Sequence, residues 1–277
     1  MTDSPPNSHE MFWLGSIEPH SAILIAPPDD QALYKMMTVE NFLRSIAGEY
    51  LHFNRVDSYK DFPNADQHDG QQPPLDHLIN AAVRFERAPE FSAADYYEQS
   101  RARTYACCFS LENSESIWRQ YANGSQKGKI CVVFNFGKLR ATLNRTIQPG
   151  NSLLQVEGNP CKQVFSVNYG IVDYVPWQKY QANAEHLRTP IKYAYLKDKQ
   201  YSNDRELRVS LSALGMGKFV LADGMPMVFP PNLQLAFNFK KAFAEETILQ
   251  VLYPPETDAS FLQAELAKMK INSRDPS

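Results

Sequence analysis

The chain has 277 residues, of which 43% are hydrophobic and 21% charged, enough apolar material for one large folded domain and too much for a wholly disordered chain. Its net charge of -3 gives no long-range attraction for nucleic acid, although a local basic groove stays open. No apolar run reaches the length of a membrane span, and the opening Met-Thr-Asp-Ser-Pro-Pro lacks the basic and apolar regions of a signal peptide. Cys107, Cys108, Cys131 and Cys161 lack zinc-ligand spacing and read as reduced core residues of a cytoplasmic protein, so no metal site is assigned.

In chain order, residues 1–30 are rich in Pro, Ser and Asp and read as a partly ordered leader. Residues 31–277 read as a single α+β domain with a C-terminal helix. A short strand is expected at 33–36. Thr38 then caps a helix in which Val39, Phe42, Leu43, Ile46 and Ala47 follow helical spacing, and Gly48 ends it. A second strand follows at 51–54. The stretch 57–74 reads as a solvated polar loop holding Asp57, Asp61, Asp66, His68 and Asp69. A helix over 75–88 places Leu75, Leu78, Ile79, Ala82 and Val83 on one apolar face.

The middle of the chain is the best patterned. A buried strand at 104–109 precedes a helix from Ser114 that buries Ile117, Trp118, Tyr121 and Ala122 and stops at Asn123-Gly124. Strands follow at 129–136, 164–169, 206–211, 233–237 and 248–252, and Asp258 opens a last helix with Leu262, Leu266 and Met269. Many short strands with few helices between them predict an α+β fold with a mixed or antiparallel sheet.

The stretch 201–211 reads Tyr-Ser-Asn-Asp-Arg-Glu-Leu-Arg-Val-Ser-Leu. Asp204 and Glu206 sit two apart as a strand begins, so both side chains point to one face, with Arg205 and Leu207 on the other. Two acids on one face are a place for chemistry. They are also what an exposed edge with alternating salt bridges looks like, and Arg208, on the same face, would pair with them.

Four segments together resemble a bacterial family of uncharacterised single-domain proteins. They are Leu33-Tyr34-Lys35 with Leu51-His52-Phe53-Asn54; Cys108-Phe109-Ser110 with Ile117-Trp118-Arg119-Gln120-Tyr121-Ala122 and Gly128; Asn168-Tyr169; and Asp204-Arg205-Glu206-Leu207-Arg208. The likeness spans about residues 33 to 253. Tyr201 stands where the family has Trp, and Asp204 where it has Glu. The layout is in turn similar to the ADP-ribosyltransferases, which carry a basic residue on a first strand, a Ser at a central strand and a late acid-x-Glu pair.

That similarity implies a split sheet, NAD as substrate and an acceptor that is a protein or nucleic acid, in a bacterial toxin or anti-phage defence. It implies Glu206 as the carboxylate that offsets charge on the ribose, and Asp204 as the group that activates the acceptor. Lys35 would neutralise phosphate, Ser110 would bind the ribose or support Glu206, and Tyr34 or Tyr121 would stack on nicotinamide. Each has a plainer alternative: Lys35 a surface lysine, Ser110 a helix cap, Tyr121 a core residue. Two other functions stay open. A metal-dependent nuclease would bring Asp57, Asp61, Asp66, His68, Asp69 or Glu206 together. A non-catalytic sensor would expose a large apolar surface.

Overall fold

The structure, a computed structural model, describes residues 24–61, 65–147, 154–161, 165–182, 190–213 and 217–271. The leader expected at 1–30 lies outside them as far as residue 23. From Leu24 on, the chain packs against the domain: Leu24 is buried beside Ala194 and Tyr195, and Gly137 N–H donates to Asp29 O.

Strand β1 (Ala32–Thr38) leads through the Thr38 cap into α1 (Val39–Ala47), and β2 (Tyr50–Arg55) returns after Gly48. Helix α2 (Pro74–Ala82), the hairpin β3 (Arg84–Phe85) and β4 (Ala88–Ser92), and α3 (Ala93–Arg101) follow. Next come β5 (Thr104–Ser110), α4 (Glu115–Gln120), β6 (Lys129–Asn135) and α5 (Phe136–Ile147). Then come β7 (Leu154–Val156), β8 (Asn159–Pro160), β9 (Phe165–Ile171), β10 (Asp173–Val175), β11 (Leu196–Asp198) and β12 (Glu206–Ala213). The chain closes with β13 (Phe219–Val220), β14 (Pro226–Met227), β15 (Asn232–Ala236), α6 (Phe239–Ala244), β16 (Ile248–Leu252) and α7 (Ala259–Lys268).

Ten of these strands form one antiparallel sheet, in the order β16-β6-β1-β5-β2-β15-β7-β8, with β12 and β9 branching from β5. The fold is α+β, with a mostly antiparallel sheet and short helices. One continuous apolar cluster, from Leu33 to Ile271, holds it together. Gly128 allows a close approach at its edge: its φ is +94°, and a Cβ there would lie 2.7 Å from the Thr257 backbone.

The branch at β5 positions the site. Along one edge β12 pairs with β5 from Glu206↔Ser110 to Ser212↔Thr104. Along the other edge β5 is shared: β1 touches it only at Tyr34↔Ser110, and β2 only at Asn54↔Ala106 and Arg55↔Tyr105. The sheet therefore forks between Ser110 and Ala106. Cys108 sits in the fork, and its carbonyl accepts a hydrogen bond from Lys35 Nζ at 3.2 Å. A buried carbonyl left without a strand partner needs such a donor.

Two helices differ from the sequence expectation. Helix α2 ends at Ala82, not 88, and turns its polar side inward. Asp76 and Asn80, one helical turn apart, are buried and bonded to Tyr193, the Ala182 N–H and Gln72. Its apolar side faces out, with Leu78 68% exposed. Helix α4 ends at Gln120, so Tyr121 and Ala122 (φ 55°) lie beyond it and only Ile117 is buried. Trp118 is half-buried, its indole N–H bonded to Asn113 at 2.7 Å.

Ile117→Ala should therefore cost about 2–5 kcal/mol. Leu78→Ser on the outer side of α2 should stay within about 0.5 kcal/mol. Urea unfolding midpoints of the two variants check both values.

Candidate functional site

A cavity of about 600 Å³ opens at the fork, lined by residues of β1, β5, β12, the turn after α4, and the loop 65–69. Glu206 is its buried floor. It begins β12 directly across from Ser110 on β5. Asp204 does not share that strand. It closes a 3-10 turn, and Arg205 between the two acids is left-handed (φ 46°, ψ 49°), with its own side chain outside on Glu112 at 2.6 Å. The acids nevertheless meet, because Lys197 Nζ donates to Asp204 Oδ2 at 2.8 Å and to Glu206 Oε2 at 3.0 Å. Two-residue spacing thus gives the right proximity by a different backbone route.

Arg208, one β period further on, is also buried. Its Nη1 and Nη2 grip both oxygens of Asp69 at 2.6 and 2.7 Å, Nε and Nη2 hold Glu206, and Nη1 also donates to Ala194 O at 2.7 Å. All five guanidinium N–H groups are used. Asp69 is brought there by a sharp turn. Gly70 is left-handed (φ +70°), and a Cβ on it would collide with Val56 at 2.4 Å. Asp66, in the same loop, accepts from the backbone N–H of His68 and of Asp198. Both acids are buried, so this part of the polar loop is not solvated as its composition suggests.

The charges follow from these contacts. Burial pushes the Glu206 carboxyl up, but the Arg208 guanidinium and Lys197 ammonium outweigh it and hold the group well below the ordinary 4.5. Asp69 is raised from its ordinary 3.8 by burial, against the pull of Arg208. Burial opposes the charge on Lys197, yet Glu206 and Asp69 raise its pKa well above 10.5. Burial also raises the Cys108 thiol, which donates to Glu206 and lies 3.2 Å from the Tyr59 hydroxyl. The Tyr174 hydroxyl accepts from the Glu206 N–H at 2.8 Å.

The sequence candidates divide. Glu206, Asp204, Ser110, Tyr34 and Tyr121 all line the cavity. Lys35 does not. It faces the fork, with its ammonium 5.1 Å from the centre of the Phe109 ring. Ser110 does not cap α4, which Ser114 does; its hydroxyl bonds Glu112 and Asp204 O at 2.8 Å and so fixes the acidic turn. Tyr121 is 39% exposed at the mouth, with its hydroxyl on Asp204.

Lys197, Tyr59 and Tyr174 are not among the residues the sequence singles out; each lies in a segment without a period or motif of its own, so nothing local marks it. Asp69, expected only as a metal ligand in the nuclease alternative, pairs instead with Arg208. Among the described residues no three His, Cys, Asp or Glu side chains converge as a metal-binding group. Asp57 is held instead by Arg55 at 2.6 Å. All four cysteines are free thiols. No described helix is long and apolar enough to cross a membrane. Comparison with protein-family models, with curated proteins and with solved structures gave no match to this chain.

Removing Arg208 would leave two buried carboxylates facing each other. Arg208→Met should cost about 3–5 kcal/mol. Arg208→Lys should recover little of that, since three donors replace five in a fixed fork. Chemical denaturation checks the pair. The pH dependence has a definite sign. Glu206 titrates lower folded than unfolded, so its contribution is complete above the ordinary 4.5 and is lost as pH falls toward the folded value. Glu206→Gln should flatten the loss of stability below that pH, read as melting temperature against pH.

Proposed function

We propose that the cavity is the active site of an NAD-dependent ADP-ribosyltransferase, with Glu206 as the carboxylate beneath the reacting ribose. The observation that carries this reading is the buried cluster at the fork. Three carboxylates, Asp69, Asp204 and Glu206, are balanced by only two cations, Lys197 and Arg208. The floor keeps one net negative charge in a buried, preorganised setting. Cleavage of the bond from ribose to nicotinamide develops positive charge on the ribose carbon, and a fixed anion there lowers the barrier.

The remaining roles follow from position. Asp204 receives the proton of the acceptor, and its carboxylate is steadied by Lys197 and Tyr121. Ser110 acts through the turn it pins rather than on the substrate. Tyr34 and Tyr121 offer ring faces to nicotinamide at the mouth. Lys35 has no part, because its ammonium is committed to the Cys108 carbonyl outside the cavity. A protein or nucleic acid as acceptor, and a place in bacterial defence, belong to the same proposal.

A second reading, a non-catalytic interaction domain, is favoured by one observation. Leu75, Leu78, Ile79, Val83 and Phe85 are 38–68% exposed along α2 and β3. It places function on a different face and gives no nicotinamide release.

The test is nicotinamide release from NAD by the wild type, Glu206→Gln and Asp204→Asn, with thermal melts as the folding control. Glu206→Gln should lose about a hundredfold or more. Asp204→Asn should weaken transfer to an acceptor more than hydrolysis. Equal, negligible release from all three folded proteins would remove the transferase reading and leave the interaction domain.

A further inference from the structure

NAD has two chemically different ends, a cationic pyridinium riboside and an anionic pyrophosphate. The cavity treats them unequally. Its charged lining side chains are Asp66, Asp69, Asp204 and Glu206 against Lys197 and Arg208. Formally that is two negative charges in excess. Phosphate is gripped by unspent cations or by bare backbone N–H groups at a helix start. At the helix start on the lining, that of α1, the Val39 N–H already donates to Gly128 O and the Asn41 N–H to the Thr38 hydroxyl. Arg208 has spent all five donors on Asp69, Glu206 and Ala194 O. Lys197 has two of its three donors on carboxylates and is buried beneath them. An incoming phosphate would have to break a buried ion pair and then sit beside the carboxylate it released.

A cation meets the opposite situation. It faces a net anionic floor, and the lining includes Tyr34 and Tyr121, aromatic residues of the kind whose ring faces attract positive charge. Asn41 and Asn54 add neutral amides that suit a carboxamide and ribose hydroxyls.

We infer that the cavity recognises the cationic N-ribosyl pyridinium itself and takes no grip on phosphate, so that nicotinamide riboside is a substrate in its own right. This rests on the transferase reading above and narrows it to a substrate class. In the hydrolytic form of the step, water attacks the ribose C1′ and the bond from C1′ to the ring nitrogen breaks. The electron pair returns to that nitrogen and cancels its positive charge. Neutral nicotinamide leaves, and the proton of the water passes to Asp204 and on to solvent.

The experiment compares nicotinamide release from nicotinamide riboside, nicotinamide mononucleotide and NAD by the full chain. Calorimetric titration with nicotinamide riboside and with ADP-ribose runs alongside. The expected result is kcat/KM for the riboside within about threefold of that for NAD, or above it. Cleavage with NAD preferred by more than about tenfold overturns the inference and leaves the transferase reading standing. If none of the three is cleaved, the transferase reading and the claim that the riboside is a substrate both fall, and binding decides only which end of the molecule the cavity recognises. Riboside binding with no ADP-ribose binding supports recognition of the cation. ADP-ribose binding as tightly as the riboside, or no riboside binding, overturns it.

Discussion

The guanidinium of Arg208 is the group on which the rest of the site depends. It is buried, and an unpaired charge there would cost several kcal/mol. Its five donors join three parts of the chain: the loop through Asp69, strand β12 through Glu206, and the turn Pro190–Tyr195 through Ala194 O. None of those parts can move without stranding a charge. The turn at Gly70, the left-handed Arg205 and the Ser110 hydroxyl all hold the partners of this cluster in place. Arg205 carries a strain of about 1–2 kcal/mol for its left-handed backbone. The network around it outweighs that cost.

The same cluster sets the electrostatics of the cavity. A lone buried glutamate would take up a proton and lose its use as an anion. Flanked by Arg208 and Lys197, Glu206 stays ionised, and the third carboxylate leaves the group with a negative balance. The fork in the sheet makes the space above it. Because β1 and β2 each meet β5 at only one end, the middle of β5 around Cys108 is left open on that edge, and Cys108 and Ser110 line the cavity there. The fold and the charge cluster are thus two halves of one device. The fork opens the pocket, and the ion pairs give it a sign.

Much of the scaffold was legible along the chain. Strands β1, β2, β5, β6, β9, β12, β15 and β16 fall where short apolar runs end in turn residues, and α1 and α7 begin at Thr38 and Asp258 as their caps require. These are local signals: a strand's apolar period and a cap's hydrogen bond need only a few neighbouring residues. Glu206, Asp204, Ser110, Tyr34 and Tyr121 were picked out by chemistry and order, and all five border one cavity. Helix α4 simply stops before Tyr121 and Ala122, whereas α2 is turned the other way for a general reason. Apolar spacing says which residues share a face but not which way the face turns. In α2 the buried partners Tyr193 and Ala182 select the polar side.

The sequence by itself determined the class of fold, eight of the sixteen described strands and the identity of the acidic pair, because each is written in residues close together along the chain. Only the tertiary structure decided what surrounds that pair. Lys197 and Arg208 neutralise it unequally, Asp69 arrives from more than a hundred residues away, and Lys35 is turned into the fork instead of the cavity. Such partnerships depend on which distant segments share a low-dielectric space. Charge pairing there is decided by distance and burial, quantities that no local pattern of residues encodes.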